Sequence, residues 1–137
     1  MLATATPHAQ ATRRLLPGLK ILVVDDDQDT VTLMSTLLRA AGALPIAAHD
    51  VETAMTLFGV HRPDLILSDI SMPGSDGYHL IRRVRAAAHG RTTPAIALTA
   101  NAAKTDQSRV LLAGYQAYVS KPFKLHDLVG AILRVAT

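Results

Sequence analysis

The sequence has no cysteine and no tryptophan among its 137 residues. The absence of cysteine excludes disulfides, thiolate metal sites and a cysteine nucleophile. Aromatic residues make up only 4% of the chain, so there is little material for stacking on nucleic-acid bases. No apolar run approaches the ~18 residues that a helix needs to cross a bilayer, so we expect no membrane-spanning segment and no membrane partner.

The overall composition of the chain predicts one domain with a buried core. Hydrophobic residues make up 49% of the chain and charged residues 18%, which is too apolar for a disordered tail. The net charge of +3 bears on solubility rather than on the fold. The acidic residues are unevenly placed, because Asp25, Asp26, Asp27 and Asp29 lie in one short stretch.

The N-terminal segment differs in composition from the rest. It contains no acid, and Pro7, Pro17 and Gly18 interrupt it. We expect residues 1–18 to be a disordered leader or linker and residues 19–137 to form the domain. The segment lacks the apolar stretch of a secretory signal, and we expect a cytoplasmic protein.

Short apolar runs predict five strands. Four of them have the composition of buried strands in a parallel sheet, and they cover residues 21–24, 65–67, 95–98 and 117–119. The remaining run, residues 43–47, contains Pro45. Proline has no N–H to donate to a neighbouring strand, so we expect this strand at an edge of the sheet.

Apolar residues recur at helical spacing after each strand. Asp50 is a candidate N-cap for the second helix, the third extends to Ala88, and the fourth covers residues 102–113. Five strands alternating with five helices predict an α/β fold. We expect a flavodoxin-like three-layer sandwich with a parallel sheet of strand order 2-1-3-4-5.

Polar residues follow the strands at the point where ligands bind in open α/β sheets. They are Asp25, Asp26 and Asp27 after the first strand, Asp69 after the third, Thr99 after the fourth and Lys121 after the fifth. Each type also has an ordinary structural role: Asp27 or Asp29 as a helix N-cap, Thr99 as a partner of the local backbone, and Lys121 as a solvated charge.

Together these residues point to phosphoryl transfer. Carboxylates that lie close together repel one another unless a cation neutralises them. Mg²⁺ suits a site built of oxygen ligands and also binds phosphate oxygens. A carboxylate nucleophile, a metal ion, the Thr99 hydroxyl and the Lys121 ammonium make up the groups that such a reaction needs.

The same residues carry a family resemblance. The chain resembles the receiver domain of two-component response regulators over about residues 19–135. The matching motifs are Val23-Val24-Asp25-Asp26, Asp69 with Met72-Pro73 and Gly77, Leu98-Thr99-Ala100, and Tyr118 with Lys121-Pro122-Phe123.

The resemblance implies a phosphoacceptor and a metal site. Asp69 would take a phosphoryl group from a phosphohistidine of a histidine kinase or a histidine phosphotransfer protein. Mg²⁺ or Mn²⁺ would be bound by Asp26 and Asp69, by the backbone carbonyl of Ser71, and by Asp25 through water. No turnover of an external substrate is expected beyond self-phosphorylation and autodephosphorylation.

It also implies a switch. Lys121 would pair with the aspartyl phosphate, Thr99 would move towards it, and Tyr118 would turn inward behind it. The face formed by the fourth helix, the fifth strand and the fifth helix would then change, and the resemblance allows a homodimer through that face. Ser71 and Asn101 occupy positions that influence the lifetime of the phosphate.

Further implications concern local geometry and context. The Lys121–Pro122 peptide bond is typically cis in this family. No helix-turn-helix follows Val135, so we do not expect the chain itself to bind nucleic acid. It would be a single-domain response regulator, or the receiver of a hybrid histidine kinase, that acts on an output protein.

The remaining charged and aromatic residues are interpreted structurally. Arg82, Arg83 and Arg85 are expected to form a solvated basic face, and Tyr78 and Tyr115 are expected to pack near helix ends. The six histidines have no metal-ligand spacing, and no role is assigned to them.

Two alternatives remain open on the residues alone. The order of Asp25, Thr99 and Lys121 also resembles haloacid-dehalogenase-like phosphatases, with Asp25 as nucleophile, although that hypothesis leaves Asp69 without a role. The second alternative is a flavodoxin-like binding module that is never phosphorylated.

Overall fold

A single parallel sheet organises the molecule in the computed structural model, which describes residues 15–70, 77–100 and 107–136. Its strands are β1 Lys20–Val24, β2 Leu44–Ala48, β3 Leu65–Asp69, β4 Ala95–Thr99 and β5 Ala117–Ser120. They pair in the order β2-β1-β3-β4-β5, and every pairing is parallel. The predicted flavodoxin-like topology is confirmed.

Helices connect the strands. They are α1 Gln28–Ala40, α2 Val51–His61, α3 Gly77–Ala86, α4 Gln107–Ala113 and α5 Leu125–Ala136. The prediction that the third helix reaches Ala88 is wrong, because Ala87 has extended backbone with ψ of 137° and Ala88 begins a short 3₁₀ turn. The predicted start of the fourth helix at residue 102 lies outside the described residues.

The sheet separates two apolar layers. Alternate strand residues such as Val23 and Leu67 pack against α1 and α5, whereas Val24 and Ile66 pack against α2, α3 and α4. This is the period-two pattern of a strand with both faces covered. Edge strand β2 is less buried than the central strands, and its Pro45 lies beside Ile21 of β1, as predicted.

The N-terminal end of the described chain is attached to the domain. Leu16 belongs to the apolar layer under α1 and is only 2% exposed. Its amide donates to the Ala41 carbonyl at 2.9 Å, and the Gly18 amide donates to the Gly42 carbonyl at 2.8 Å. The core therefore includes Leu16, which the sequence placed within the predicted leader; residues 1–14 of that leader lie outside the described residues.

Aspartates occupy the N-cap positions of two of the helices. The prediction for Asp50 is confirmed, since its carboxylate accepts from the Thr53 amide at 2.7 Å, and this hydrogen bond lowers the pKa of Asp50. Asp27 occupies the N-cap position of α1, but its carboxylate accepts from the Thr30 hydroxyl, which lowers the pKa of Asp27. In the parts of the chain with described structure, no helix is long and apolar enough to cross a bilayer.

The prediction that the arginines of α3 form a solvated basic face is wrong for Arg85. Its guanidinium is half-buried and donates to the carbonyls of Gly90, Thr93 and Gly114 at 2.6–3.1 Å. Burial lowers the pKa of the Arg85 guanidinium. The group nevertheless keeps its proton and its positive charge at neutral pH. This side chain joins the end of α3 to the loops before β4 and β5, so its role is structural.

We expect Arg85→Ala to destabilise the domain by roughly 2–3 kcal/mol, because three carbonyls lose their charged donor and the aliphatic stem loses its packing. Urea unfolding followed by circular dichroism measures the effect. The matched variant Arg82→Ala removes an exposed arginine one turn earlier and should stay within about 0.5 kcal/mol of the parent. Equal effects for the two variants would contradict the structural role of Arg85.

Candidate functional site

The site lies at the carboxyl edge of the sheet. Asp25 follows β1, Asp69 and Thr99 are the last residues of β3 and β4, and Lys121 follows β5. These strands are successive neighbours in the order β1-β3-β4-β5. Their ends therefore deliver side chains to one crevice, where open α/β sheets bind ligands.

Three carboxylates meet in this crevice. One oxygen from each of Asp25, Asp26 and Asp69 lies within 4.8 Å of the others. Asp25 has no exposed surface and Asp69 is 6% exposed, while Asp26 faces solvent. An all-oxygen donor set with one solvent-facing side fits a hard divalent cation that retains some of its water. The structure thus brings the predicted acidic residues together, except Asp27, which occupies the N-cap position of α1.

Lys121 provides the positive charge of the crevice. Its Nζ donates to Asp25 Oδ2 at 2.7 Å and to Asp69 Oδ2 at 3.3 Å. Burial alone would lower the pKa of the Lys121 ammonium, but the hydrogen bonds and charges of Asp25 and Asp69 outweigh it, and the net pKa is raised. Lys121 is therefore fully charged at neutral pH and compensates part of the carboxylate charge.

Each oxygen of the buried Asp25 carboxylate accepts a hydrogen bond from a neighbour. Its Oδ1 accepts from the Asp27 amide at 3.0 Å, and its Oδ2 accepts from Lys121. The His49 ring nitrogen Nδ1 lies 3.3 Å from the Asp25 carbonyl. The hydrogen bonds from the Asp27 amide and from Lys121 fix the position of the Asp25 carboxylate beside Asp69.

The two predicted switch residues differ in position. Thr99 is buried at the end of β4, and its Cα partner in β5 is Ser120. Tyr118 lies within β5 opposite Ala97, and its side chain is half-buried against the apolar layer of α2, α3 and α4. Thr99 thus lies at the rim of the crevice, whereas Tyr118 lies two residues before Ser120 in β5, further from the carboxyl edge of the sheet.

The Lys121–Pro122 peptide bond, which the resemblance implies to be cis, is cis in the structure. Ser71 and Asn101, the residues predicted to influence phosphate lifetime, lie outside the described residues, as does the Ser71 carbonyl predicted as a metal ligand.

Gly77 and Tyr115, to which the sequence analysis gave no role in the site, pack behind Asp69. A Cβ atom added to Gly77 would lie 2.5 Å from the Asp69 carbonyl oxygen and 2.8 Å from the Ile70 Cα. The Tyr115 hydroxyl donates to the Gly77 carbonyl at 2.7 Å. The start of α3 is therefore pressed against the end of β3. Two signals in the sequence pointed towards this contact: Gly77 belongs to the Asp69 motif of the resemblance, and Tyr115 was expected to pack near a helix end.

Comparison with known proteins identifies the family. A family model described as the response regulator receiver domain matches residues 21–133. This chain belongs to the response regulator receiver domain family. Membership accounts for Asp69 in the acidic crevice, which the phosphatase alternative leaves unexplained.

Relatives of this receiver domain include proteins of several architectures. An uncharacterized 14.6 kDa protein of Leptolyngbya boryana is 41% identical over 114 residues, which cover 83% of this chain and 87% of that protein. Hybrid signal transduction histidine kinase D of Dictyostelium discoideum is 35% identical over 93% of this chain, which spans only 9% of the kinase.

A solved structure of a relative allows a comparison of sites. The receiver domain of sensor histidine kinase PA1611 from Pseudomonas aeruginosa has a TM-score of 0.80 and 37% identity to this chain, covering 87% of this chain and 98% of that domain. That structure has a magnesium ion coordinated in its active site cleft. Receiver domains bind Mg²⁺ at their acidic site and interact with histidine kinases or phosphotransfer proteins in phosphorelays.

Proposed function

We propose that Asp69 is the residue that carries the phosphoryl group in this receiver domain. The observation that supports this most strongly is the position of its carboxylate, 3.3 Å from the Lys121 ammonium and beside Asp25 and Asp26. A carboxylate oxygen of Asp69 attacks the phosphorus of a phosphohistidine, the P–N bond breaks, and the imidazole leaves with the bonding electrons and takes up a proton. The product is an acyl phosphate on Asp69.

The proposed metal ligands are Asp26 and Asp69 directly, the Ser71 carbonyl, and Asp25 through water, with Mg²⁺ or Mn²⁺ as the ion. The chemistry of the donors supports this, because all of them are hard oxygen atoms. The ion would offset the negative charge that the phosphoryl group adds to a crevice already holding three carboxylates. Lys121 keeps Asp25 in place and gives the phosphoryl oxygens a fixed positive partner.

The proposed output is a change of the α4–β5–α5 face. Phosphorylation adds roughly −1.5 to −2 charge units and new acceptor oxygens beside Thr99 and Lys121. Charge-assisted hydrogen bonds from these two donors favour one arrangement of the end of β4 and of β5, where Tyr118 lies. The output partner would read this face, and a homodimer through the same face is included in the proposal.

An apolar groove beside the crevice supports docking of the phosphodonor. It has a volume of about 400 Å³ and lies next to Lys121, between Leu33 of α1 and Phe123. Leu33 is an exposed apolar residue, of the kind that a helix of a histidine kinase or phosphotransfer protein covers.

The proposed setting is the cytoplasm, where the chain acts as a single-domain regulator or as the receiver of a hybrid kinase.

Chemical mapping of the phosphoryl group tests the proposed function. The wild-type chain is incubated with acetyl phosphate and Mg²⁺, reduced with borohydride, digested and analysed by mass spectrometry. We expect homoserine at position 69, because borohydride reduces an acyl phosphate to the alcohol. Modification of Asp25 instead would favour the phosphatase alternative, and no modification at any carboxylate would favour the binding module.

We expect Asp26→Asn to weaken Mg²⁺ binding by about tenfold or more, because it removes a solvent-facing anionic ligand from the cluster. Backbone amide shifts recorded during a Mg²⁺ titration measure the dissociation constant. Asp29→Asn, a change of the same kind outside the cluster, should stay within about twofold. Acetyl phosphate labelling in excess EDTA should fall to background. Unchanged Mg²⁺ affinity in Asp26→Asn would contradict the proposed ligand set.

A further inference from the structure

The Tyr115 side chain links two parts of the molecule that are far apart in the chain. Tyr115 lies between α4 and β5 and is buried. Its hydroxyl donates to the carbonyl of Gly77, the first residue of α3, at 2.7 Å. Neither residue belongs to the acidic cluster. The proposed phosphorylation of Asp69 therefore leaves the role of this hydrogen bond unexplained.

One end of the link reaches the backbone of Asp69. A Cβ atom added to Gly77 would lie 2.5 Å from the Asp69 carbonyl oxygen and 2.9 Å from the Tyr115 hydroxyl oxygen. The Gly77 Cα therefore packs on the end of β3 with no side chain between them, and the Tyr115 hydroxyl lies against the same point. Close-packed interiors contain few voids and transmit displacements from one group to the next. A shift of the Asp69 backbone is thus felt at Gly77 and at Tyr115.

The other end of the link holds the last turn of α4. The Tyr115 amide donates to the Val110 carbonyl at 3.3 Å, and the Gly114 amide donates to the Leu111 carbonyl at 3.1 Å. Arg85, near the opposite end of α3, donates to the Gly114 carbonyl. The helix α3 and the end of α4 are therefore joined at two points, of which the Tyr115 hydroxyl is the one beside Asp69.

The β5 side of Tyr115 is anchored separately. The Gln116 amide donates to the Ala95 carbonyl at 2.9 Å, and the Gln116 side-chain oxygen accepts from the Ala95 amide at 2.8 Å. These two hydrogen bonds fix Gln116 to the start of β4. A displacement that reaches Tyr115 is therefore passed to the end of α4 more readily than to β5.

We propose that Tyr115 is a positioning residue that couples the state of Asp69 to the position of α4. The inference rests on the proposed phosphorylation of Asp69. New hydrogen bonds to a phosphoryl group shift the end of β3, the start of α3 follows because Gly77 leaves no space, and the Tyr115 hydroxyl carries the shift to α4. This route is separate from the one through Thr99 and Tyr118, which runs along β4 and β5 to the same output face.

Backbone amide shifts with a phosphoryl analogue test this inference. Beryllium fluoride, which binds a carboxylate oxygen with the geometry of a phosphoryl group, is added to saturation with Mg²⁺. In the wild type we expect shift changes in both α4 and β5. In Tyr115→Phe, which removes only the hydroxyl, the changes in α4 should fall to about half or less. The changes around Tyr118 in β5 should persist, because that route is intact.

Matched variants separate coupling from a merely structural role. Tyr78→Phe removes a hydroxyl from the same end of α3 but leaves the Tyr115–Gly77 hydrogen bond in place, so α4 should respond as in the wild type. Replacement of Tyr115 by 4-aminophenylalanine restores a donor at the same position and should restore the α4 response. Thermal melts verify that each variant is folded, and a loss of stability alone would not be reversed in α4 and spared in β5.

The outcomes distinguish this inference from the proposed function. An α4 response in Tyr115→Phe equal to that of the wild type, or a wild-type response confined to β5, would overturn the coupling role and leave Asp69 as the phosphoacceptor. Failure of beryllium fluoride and Mg²⁺ to shift any amide near Asp69 in the wild type would instead overturn the proposed function, and the inference with it.

Discussion

Asp69→Asn should reduce phosphoryl labelling of the chain to background, the largest functional effect that we expect from a single substitution. The amide has nearly the shape of the carboxylate but lacks its nucleophilic oxygen, so no acyl phosphate forms. The other two carboxylates of the cluster do not replace it, because Asp25 is held by Lys121 and the Asp27 amide, and Asp26 lies on the solvent side.

The measurement uses acetyl phosphate and, separately, a phosphorylated histidine kinase as phosphodonors, with Mg²⁺ present. Asp64→Asn is the matched control, because Asp64 is also an aspartate next to β3 but lies at its opposite end, where its carboxylate accepts from the Lys20 amide at 2.8 Å. It should label within about twofold of the wild type. Full labelling of a folded Asp69→Asn chain would disprove the proposed phosphoacceptor.

Gly77→Ala should cause the largest loss of stability among conservative substitutions at the site. The new methyl group would meet the Asp69 carbonyl oxygen at 2.5 Å and the Ile70 Cα at 2.8 Å, both of them backbone atoms. Because backbone cannot rotate away, the start of α3 must move from the end of β3. We expect a loss of about 2–3 kcal/mol, which lowers the melting temperature by roughly 10 °C.

Gly59→Ala is the control with the opposite sign. Gly59 lies inside α2, and nothing lies within 4 Å of a Cβ atom added there. Alanine at an open helical position is favoured over glycine by about 1 kcal/mol, so this variant should be stabilised. Parallel thermal and urea unfolding of both variants measures the difference. A Gly77→Ala chain as stable as the Gly59→Ala chain would show that the α3–β3 contact is dispensable.

The architecture and the chemistry at the strand ends followed from local sequence patterns. The apolar runs around Val23 and Leu67 and the helical spacing between them predicted a parallel sheet with crossover helices, which leaves few arrangements of five strands. The edge position expected for the second strand then favoured the order 2-1-3-4-5. Pro45 correctly predicted the edge strand, because a proline has no N–H to donate to a neighbouring strand, whatever the surrounding fold.

The sequence did not distinguish the environments of the three arginines of α3. Arg82, Arg83 and Arg85 have the same chemistry and were assigned one role, yet they have three different environments. Arg82 is exposed to solvent, Arg83 pairs with Glu52 of α2, and Arg85 binds three backbone carbonyls. Each environment depends on a neighbouring element whose distance from α3 is decided by packing.

The sequence alone therefore determined the order of strands and helices and which reactive groups stand at the strand ends, because both depend on short-range periodicity and on the common direction of parallel strands. Only the tertiary structure decided that Lys121 reaches both Asp25 and Asp69, that the Tyr115 hydroxyl meets Gly77, and that Arg85 is structural. These contacts join residues far apart in the chain, and they exist only because the packing of helices on the sheet brings those residues within a few ångströms of each other.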